Sequence, residues 1–557
     1  MQRMHLWRIV LLIAAVAGVY LVGNGRVGLF DRDEPRYAQT AKQMLQSDPP
    51  DWVVPRLLDQ VRTAKPVFIY WCQATSMRFL GTNEFAARLP SAVAMVMTLC
   101  LLAAVLWRSV GPERAVWTVF IFATCGLVVA AAKMCITDSV LLLWIAIAQL
   151  CLCAIYHGRR SWGVVLTMWL AVGLAGLTKG PVVLGVQVTT LIVLACLDLA
   201  AHWHSPTRWR DAFGWWKHTR PLVGIVLVAA IVAPWLWSIE QRSPGFLRQT
   251  ILHDIWTRSM TPLEGHGGPP GFYLLTIWGT YFPWSLLLPT AATIAWKSRA
   301  DSKIRFALAA VIGPWVMMEF VQTKLVHYVM PAFPALAFLT ADALVRCIKG
   351  ERDDLVRPIA VVVAGVWAVM VALAGSVPWV LVYRHGSIGD MWPVLASMSV
   401  VGLIFGAGVF NMFRRKQIAA AGLSMGLGMM AVAVWTFGIF LPRAEFMWVP
   451  KRVAAILHEH GGTKPGDVIM IDFTEDSLAY YQGGTIRRRD DDYLKATPLE
   501  QWPTWVVLTQ GIYEDLPGRL RDRLEIVGRV RGWAYADGGR AVEVLVARKL
   551  FPEKPLQ

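Results

Sequence analysis

Residues 162–200 read WGVVLTMWLAVGLAGLTKGPVVLGVQVTTLIVLACLDLA. Two apolar runs, 162–178 and 181–199, flank one tight turn, Lys179-Gly180-Pro181. Each run is close to the roughly 20 apolar residues that a helix needs to cross a bilayer. Pro suits the first turn of a helix, where its missing N–H costs nothing, so the pair predicts a transmembrane hairpin. Runs of the same kind recur outward from it at 9–23, 87–107, 115–132, 139–156, 221–240, 272–296, 305–322, 329–346, 358–381, 393–413 and 418–441. With the hairpin they predict a polytopic α-helical membrane protein of about thirteen spans. Composition agrees: 56% of the 557 residues are hydrophobic and 17% are charged, against about 25% charged in a soluble domain. Soluble, disordered and collagen-like classes are excluded.

Lys and Arg number 54 against 38 Asp and Glu, a net charge of +16. With a cytoplasmic N-terminus, the basic residues gather in the inside loops, as at Arg108, Arg114, Arg159, Arg160, Arg414 and Arg415. The short outside turns hold only Lys133, Lys179, Lys324 and Arg384. This bias is the positive-inside rule, and it accounts for the charge with no nucleic-acid partner. It also puts the C-terminal tail outside, which in a bacterial inner membrane means the periplasm. The eight cysteines form neither a disulfide framework nor a zinc spacing. No small-x-small cleavage site precedes Asp31, so the first run reads as a retained span rather than a signal peptide.

The predicted organisation is a transmembrane domain, 1–441, with outside loops at 24–86 and 241–271 and a small α/β domain at 442–557. In that tail, Val449–His460 reads as a helix, and Asp467–Phe473, Thr504–Thr509, Glu525–Arg531 and Ala541–Ala547 read as strands. A further helix is expected over Leu516–Leu524. The acidic run Asp490–Asp492, after Arg487–Arg489, reads as a solvated loop.

The first outside loop carries the sharpest chemistry: Asp31-Arg-Asp33-Glu34-Pro35-Arg36-Tyr37-Ala38. Pro35 opens a helix, acidic residues ahead of it suit the positive helix end, and Tyr37, Ala41, Met44 and Leu45 form an apolar stripe. The stripe predicts a helix lying along the membrane surface. Farther on, Lys65-Pro66 precedes an apolar stretch ending Tyr70-Trp71. A cation at a helix N-terminus works against the dipole, so Lys65 points to a negatively charged ligand.

These motifs, with Glu84-Phe-Ala-Ala-Arg88-Leu-Pro90, resemble those of the aminoarabinose (lipid A) transferases and the protein O-mannosyltransferases. These are membrane glycosyltransferases of the GT-C fold that use polyprenyl-phosphate sugars. Thr137-Asp138, Gly176-Leu-Thr-Lys179-Gly180-Pro181 and Lys324-Leu-Val-His327-Tyr328 extend the resemblance over roughly residues 1–440. It implies thirteen spans, juxtamembrane helices and a periplasmic C-terminal domain. It implies a sugar, 4-amino-4-deoxy-L-arabinose as the first choice, moved with inversion from undecaprenyl phosphate to lipid A or a related envelope acceptor. In one respect the sequence departs from the family. Ala64 stands where the aminoarabinose transferases carry Glu before Lys-Pro, a residue associated with a divalent metal. Glu264 and His266, with His253, are the remaining metal candidates, and their spacing is no recognised zinc pattern.

Ionisable residues at membrane depth cost about 2.5–3.5 kcal/mol each, so those on the outer rim ask for a function. A lipid-linked phosphate answers: negative charge grows on it as the sugar departs, and fixed cations stabilise that charge. Lys65 and Lys179 are the first choices, with Arg36, Lys324 and Tyr328 next. Asp33 is the expected general base, and Asp138 holds a lysine in place or binds the sugar. Tyr37, Glu34 and His327 complete the expected substrate contacts, Glu34 fitting a helix cap better than catalysis. Protein O-glycosylation is the alternative reading. A lipid flippase or transporter is the alternative from another class, and it is disfavoured because no repeat is evident and the unusual charges lie at one face.

Overall fold

The computed structural model describes residues 2–250, 267–351 and 357–550. The N-terminal half consists of α1 (Gln2–Leu21), α2 (Asp33–Gln46), α3 (Phe68–Leu80), α4 (Glu84–Ser109), α5 (Pro112–Ala123), α6 (Gly126–Ala132), α7 (Thr137–Tyr156), α8 (Trp162–Lys179) and α9 (Val182–Ala201). Among the described residues, nine helices are long and apolar enough to cross a membrane. The count reaches ten if α5 and α6, bent by 66°, form one broken span. Large apolar side chains such as Leu166, Leu170, Leu184 and Ile192 stand exposed on these helices. Such a surface suits lipid and would be unfavourable in water. The other runs expected to span, 9–23, 272–296 and 305–322, are also helical, but they are shorter, broken or less apolar: α1, Phe272–Thr280 with Leu288–Lys297, and Ser302–Phe320.

The predicted hairpin is present as α8 and α9. Gly180 makes the reversal at φ +69°, a left-handed conformation that glycine adopts without steric cost. Its amide caps α8 by donating to the Gly176 carbonyl at 2.9 Å.

In the first loop α2 begins at Asp33, so Pro35 sits inside the first turn. Its apolar stripe does not lie on a membrane surface. Tyr37, Ala38, Ala41 and Met44 are buried in the protein core with Ile69, Tyr70 and Ala74 of α3. A two-residue hairpin, β1 (Arg56–Leu57) with β2 (Gln60–Val61), joins the two helices. It is too short to leave a periodic signal.

The tail is a five-stranded mixed sheet of β3 (Val468–Ile471), β4 (Arg487–Arg489), β5 (Trp505–Thr509), β6 (Leu524–Ala534) and β7 (Arg540–Lys549), in the order β4-β3-β5-β7-β6. The β3 and β5 strands are buried at every position, as strands covered on both faces must be. Helix Val449–Glu459 packs Val449, Val453, Ala454 and Leu457 on one face. One expectation fails. Leu516–Leu524 is not one helix: Pro517-Gly518 interrupts it, only Gly518–Arg521 is helical, and Leu524 already begins β6. Asp490–Asp492 are exposed and lie outside any strand, as expected, and the arginines before them, Arg487–Arg489, form the edge strand β4, their charges tolerated because an edge strand faces water.

Helix Ser477–Gln482 of the tail docks on the first loop. Arg36 pairs with Asp476 at 2.6 Å, and Lys42 donates to the Tyr480 carbonyl at 3.2 Å. The first loop and the tail therefore lie at the same end of the helical bundle.

Candidate active site

At that same end two helix termini meet. Lys179 is the last residue of α8, where the negative end of the dipole favours a cation, and Asp138 lies in the first turn of α7, where the positive end favours an anion. Local structure thus presents the two side chains to each other, and Lys179 Nζ lies 2.7 Å from Asp138 Oδ1. The other carboxylate oxygen accepts from Thr137 Oγ1 at 3.2 Å and faces His327 Nε2 at 3.7 Å. The 3₁₀ turn Val326–Ala332 supplies His327 and also Tyr328, whose ring centroid is 4.6 Å from Lys179 Nζ.

These groups border a cavity of about 290 Å³ lined by Ala64, Lys65, Asp138, Lys179, Tyr328 and Met330 among others. Lys65 Nζ donates to the Ala64 carbonyl at 3.0 Å, and its charge is felt by Asp138. A second, apolar cavity of about 250 Å³ adjoins it, walled by Val172, Leu177, Val232, Trp235, Leu236 and Phe246. The two share Pro66, Gly180, Pro181 and Thr250. A chamber with charged groups in its wall thus adjoins a hydrocarbon-like one.

Asp33 is exposed and forms no hydrogen bond or ion pair among the described residues. It is within electrostatic reach of Lys179, His327, Arg62 and Tyr37. Tyr37 is held between the Arg62 guanidinium, 5.3 Å from its ring, and the Tyr70 ring at 5.9 Å. Burial, with the Asp33 charge beside it, holds the Tyr37 phenol well above its ordinary pKa, so it remains a neutral hydrogen-bonding group.

The structure therefore brings together Lys65, Asp138, Lys179, His327 and Tyr328, with Asp33 and Tyr37 at the edge. It does not bring in the other three. Arg36 is turned to Asp476 in the tail. Lys324 bonds Glu319 at 2.9 Å and the Pro269 carbonyl at 3.4 Å. Glu34 does not cap α2. It is fully buried and accepts from Arg88 at 2.9 and 2.6 Å, from Phe30 N at 2.8 Å and from Cys135 N at 2.5 Å. Sequence reasoning missed Arg62 and Tyr70 around Tyr37, and it expected an apolar groove between spans without naming the residues that wall it. Arg62 stood three residues before Lys65, but no periodicity linked it to Tyr37.

Among the described residues no group of three or more His, Cys, Asp or Glu could hold a metal ion, and Ala64 has no side-chain ligand atom. The described residues do not fit a divalent metal, and no step below uses one. His253, Glu264 and His266 lie outside the described residues.

A many-helix bundle with a charged chamber at one end, a greasy annex and a docked sheet domain defines a class: membrane enzymes that act on a lipid-linked substrate. Comparison with known proteins narrows it. Residues 6–249 match the family described as dolichyl-phosphate-mannose-protein mannosyltransferase. The chain is 30% identical over 416 residues to the undecaprenyl phosphate-alpha-4-amino-4-deoxy-L-arabinose arabinosyl transferase of Serratia proteamaculans, covering 72% of this chain and 70% of that one. It is 28% identical over 438 residues to the enzyme of that name from Erwinia tasmaniensis, covering 74% of each. The crystal structure of ArnT from Cupriavidus metallidurans bound to undecaprenyl phosphate superimposes with a TM-score of 0.72 at 20% identity, covering 97% of both chains. The chain belongs to this family of membrane glycosyltransferases.

Proposed function

We propose that the protein transfers a sugar, 4-amino-4-deoxy-L-arabinose as the first choice, from undecaprenyl phosphate to lipid A or a related envelope acceptor at the periplasmic face of a bacterial inner membrane. The observation that carries this reading is the adjoining pair of cavities. The charged chamber matches a phosphate and its sugar, and the apolar annex matches the start of an isoprenoid tail. The relatives' names supply the donor and the sugar.

Lys65 and Lys179 neutralise the phosphate and Tyr328 borders it. Asp138 fixes the Lys179 ammonium by its 2.7 Å ion pair, so no reorganisation is needed as charge develops. The sugar's anomeric carbon–phosphate oxygen bond breaks, and a bond to the acceptor oxygen forms from the opposite face, which inverts the centre. The phosphate leaves with the electron pair. Asp33, unpaired and exposed, takes the proton of a hydroxyl acceptor. With an already ionised phosphate acceptor, Asp33 stabilises positive charge on the sugar instead.

The thirteen-span topology belongs to the same reading. The first loop and the tail share one end, so the chain crosses an even number of times between them. The helices in 272–297 and 302–320 add two crossings to the ten that pass on length and apolarity, which keeps the number even. Protein O-glycosylation remains the second reading, favoured by the mannosyltransferase match over residues 6–249.

Mass spectrometry of envelope lipids from cells with and without the protein tests the proposal. The expected result is lipid A heavier by one amino-pentose when the protein is present. Unmodified lipid A together with a newly glycosylated envelope protein would reverse the order of the two readings.

A further inference from the structure

The segment leading into Asp33 is bonded to the tail domain along its length. The Leu29 N–H donates to Tyr481 Oη and the Asp31 N–H to Tyr535 Oη, both at 2.8 Å. Arg32 donates to the Ala536 carbonyl through Nε at 3.2 Å and Nη2 at 2.8 Å. The Asp31 carboxyl lies against Ser477, whose N–H is 2.9 Å from Oδ1 and whose Oγ is 2.7 Å from Oδ2.

Glu475 sits behind this contact. It is 1% exposed, and neither carboxyl oxygen has a partner at ordinary hydrogen-bond distance and angle among the described residues; the Ala536 amide faces it only loosely. Its charged neighbours are Asp31, Asp537 and Asp476, all of its own sign. The nearby cations are engaged: Arg36 and Arg488 on Asp476, and Arg540 on Asp537 and Asp472. The Tyr535 phenol faces both Asp31 and Glu475. A buried carboxyl among like charges is stable only when protonated. Burial first, then the Asp31 charge, pushes Glu475 up to about 9. Burial likewise raises Asp31 to about 7; Asp476 adds to the rise, and Ser477 and Arg36 oppose it.

We propose that Asp31 and Glu475 are positioning residues for Asp33: as neutral acids they let the tail domain hold segment 29–36 in place, and their ionisation loosens it. The tail domain then acts on the catalytic loop through a proton-controlled latch. The sign follows from linkage. Both groups bind protons more tightly when docked than when open, so docking is strongest in acid, weakens from the ordinary carboxylate range upward, and levels off once pH passes about 7 for Asp31 and about 9 for Glu475.

The inference rests on Asp33 being the site carboxylate, but its test reads the latch without substrate. In hydrogen exchange of the purified full-length protein, protection of the Leu29, Asp31 and Ser477 amides, corrected for intrinsic rate, should fall about tenfold per pH unit between pH 7 and 9. Glu475→Gln, which keeps the shape without the charge, should flatten that slope and move the alkaline limb of sugar transfer upward. Asp33→Asn should lose transfer and keep the slope. Flat protection in the wild-type protein overturns the latch even if no variant folds. A normal slope in a wild-type protein with no transferase activity supports the latch and overturns the enzymatic reading instead.

Discussion

Two buried ion pairs lie near the same end of the bundle, and they differ in what is left over. Arg88 with Glu34 is sealed: the side chains are 1% and 0% exposed. Arg88 also donates to the carbonyls of Asn24, Val27 and Gly28, so Nε and both terminal nitrogens are all engaged. Lys179 with Asp138 is unfinished. Its ammonium has one carboxylate and one aromatic face, and the remainder looks into the charged chamber. A saturated buried pair ties elements together, here α2, α4 and the turn before α7. An unsaturated pair at the wall of a cavity retains capacity for an anion.

The largest expected effect breaks the sealed pair. Arg88→Ala leaves the Glu34 carboxylate buried with no counter-charge, at a cost of about 3–5 kcal/mol. Thermal unfolding in detergent should show a large loss of stability, and transfer should fall because little folded protein remains. A variant as stable as wild type would remove the distinction between the two pairs.

A smaller total effect, confined to turnover, is expected at Asp33, the neighbour of Glu34 in sequence and its opposite in environment. Asp33→Asn should lower transfer by about 10²–10⁴ and leave the unfolding temperature and donor binding unchanged. Equal losses of stability in Asp33→Asn and Arg88→Ala would merge the two regions into one structural unit.

The comparison also separates what the sequence could say from what it could not. Lys179, Asp138, Lys65 and Tyr328 stood out because each is a polar group at the edge of an apolar run, where local structure alone suggests a role. Asp33 could be set apart from Glu34 as the base, but Glu34 was given a helix cap instead of its real role, because only the fold buries it against Arg88. Arg36 and Lys324 ranked just behind the cavity lysines, and nothing local set them outside the site until their partners, Asp476 and Glu319, were in view. The surface reading of α2 failed for the same reason: an amphipathic stripe says that something covers it, and here α3 does. Glu475 gave no signal at all, since its neighbours are brought together from positions more than 400 residues apart along the chain (Asp31 and Ser477 are separated by 446).

The central claim is that the open Lys179–Asp138 pair receives the phosphate of a lipid-linked donor. It is tested most directly by equilibrium binding of undecaprenyl phosphate to the purified protein, wild type against Lys179→Ala. The account predicts saturable binding to the wild type and a weakening of at least about tenfold per folded molecule in the variant, roughly the value of one charge-assisted contact, with a smaller loss of thermal stability than in Arg88→Ala because His327 and Lys65 still face Asp138. Equal affinity in the two proteins would contradict it.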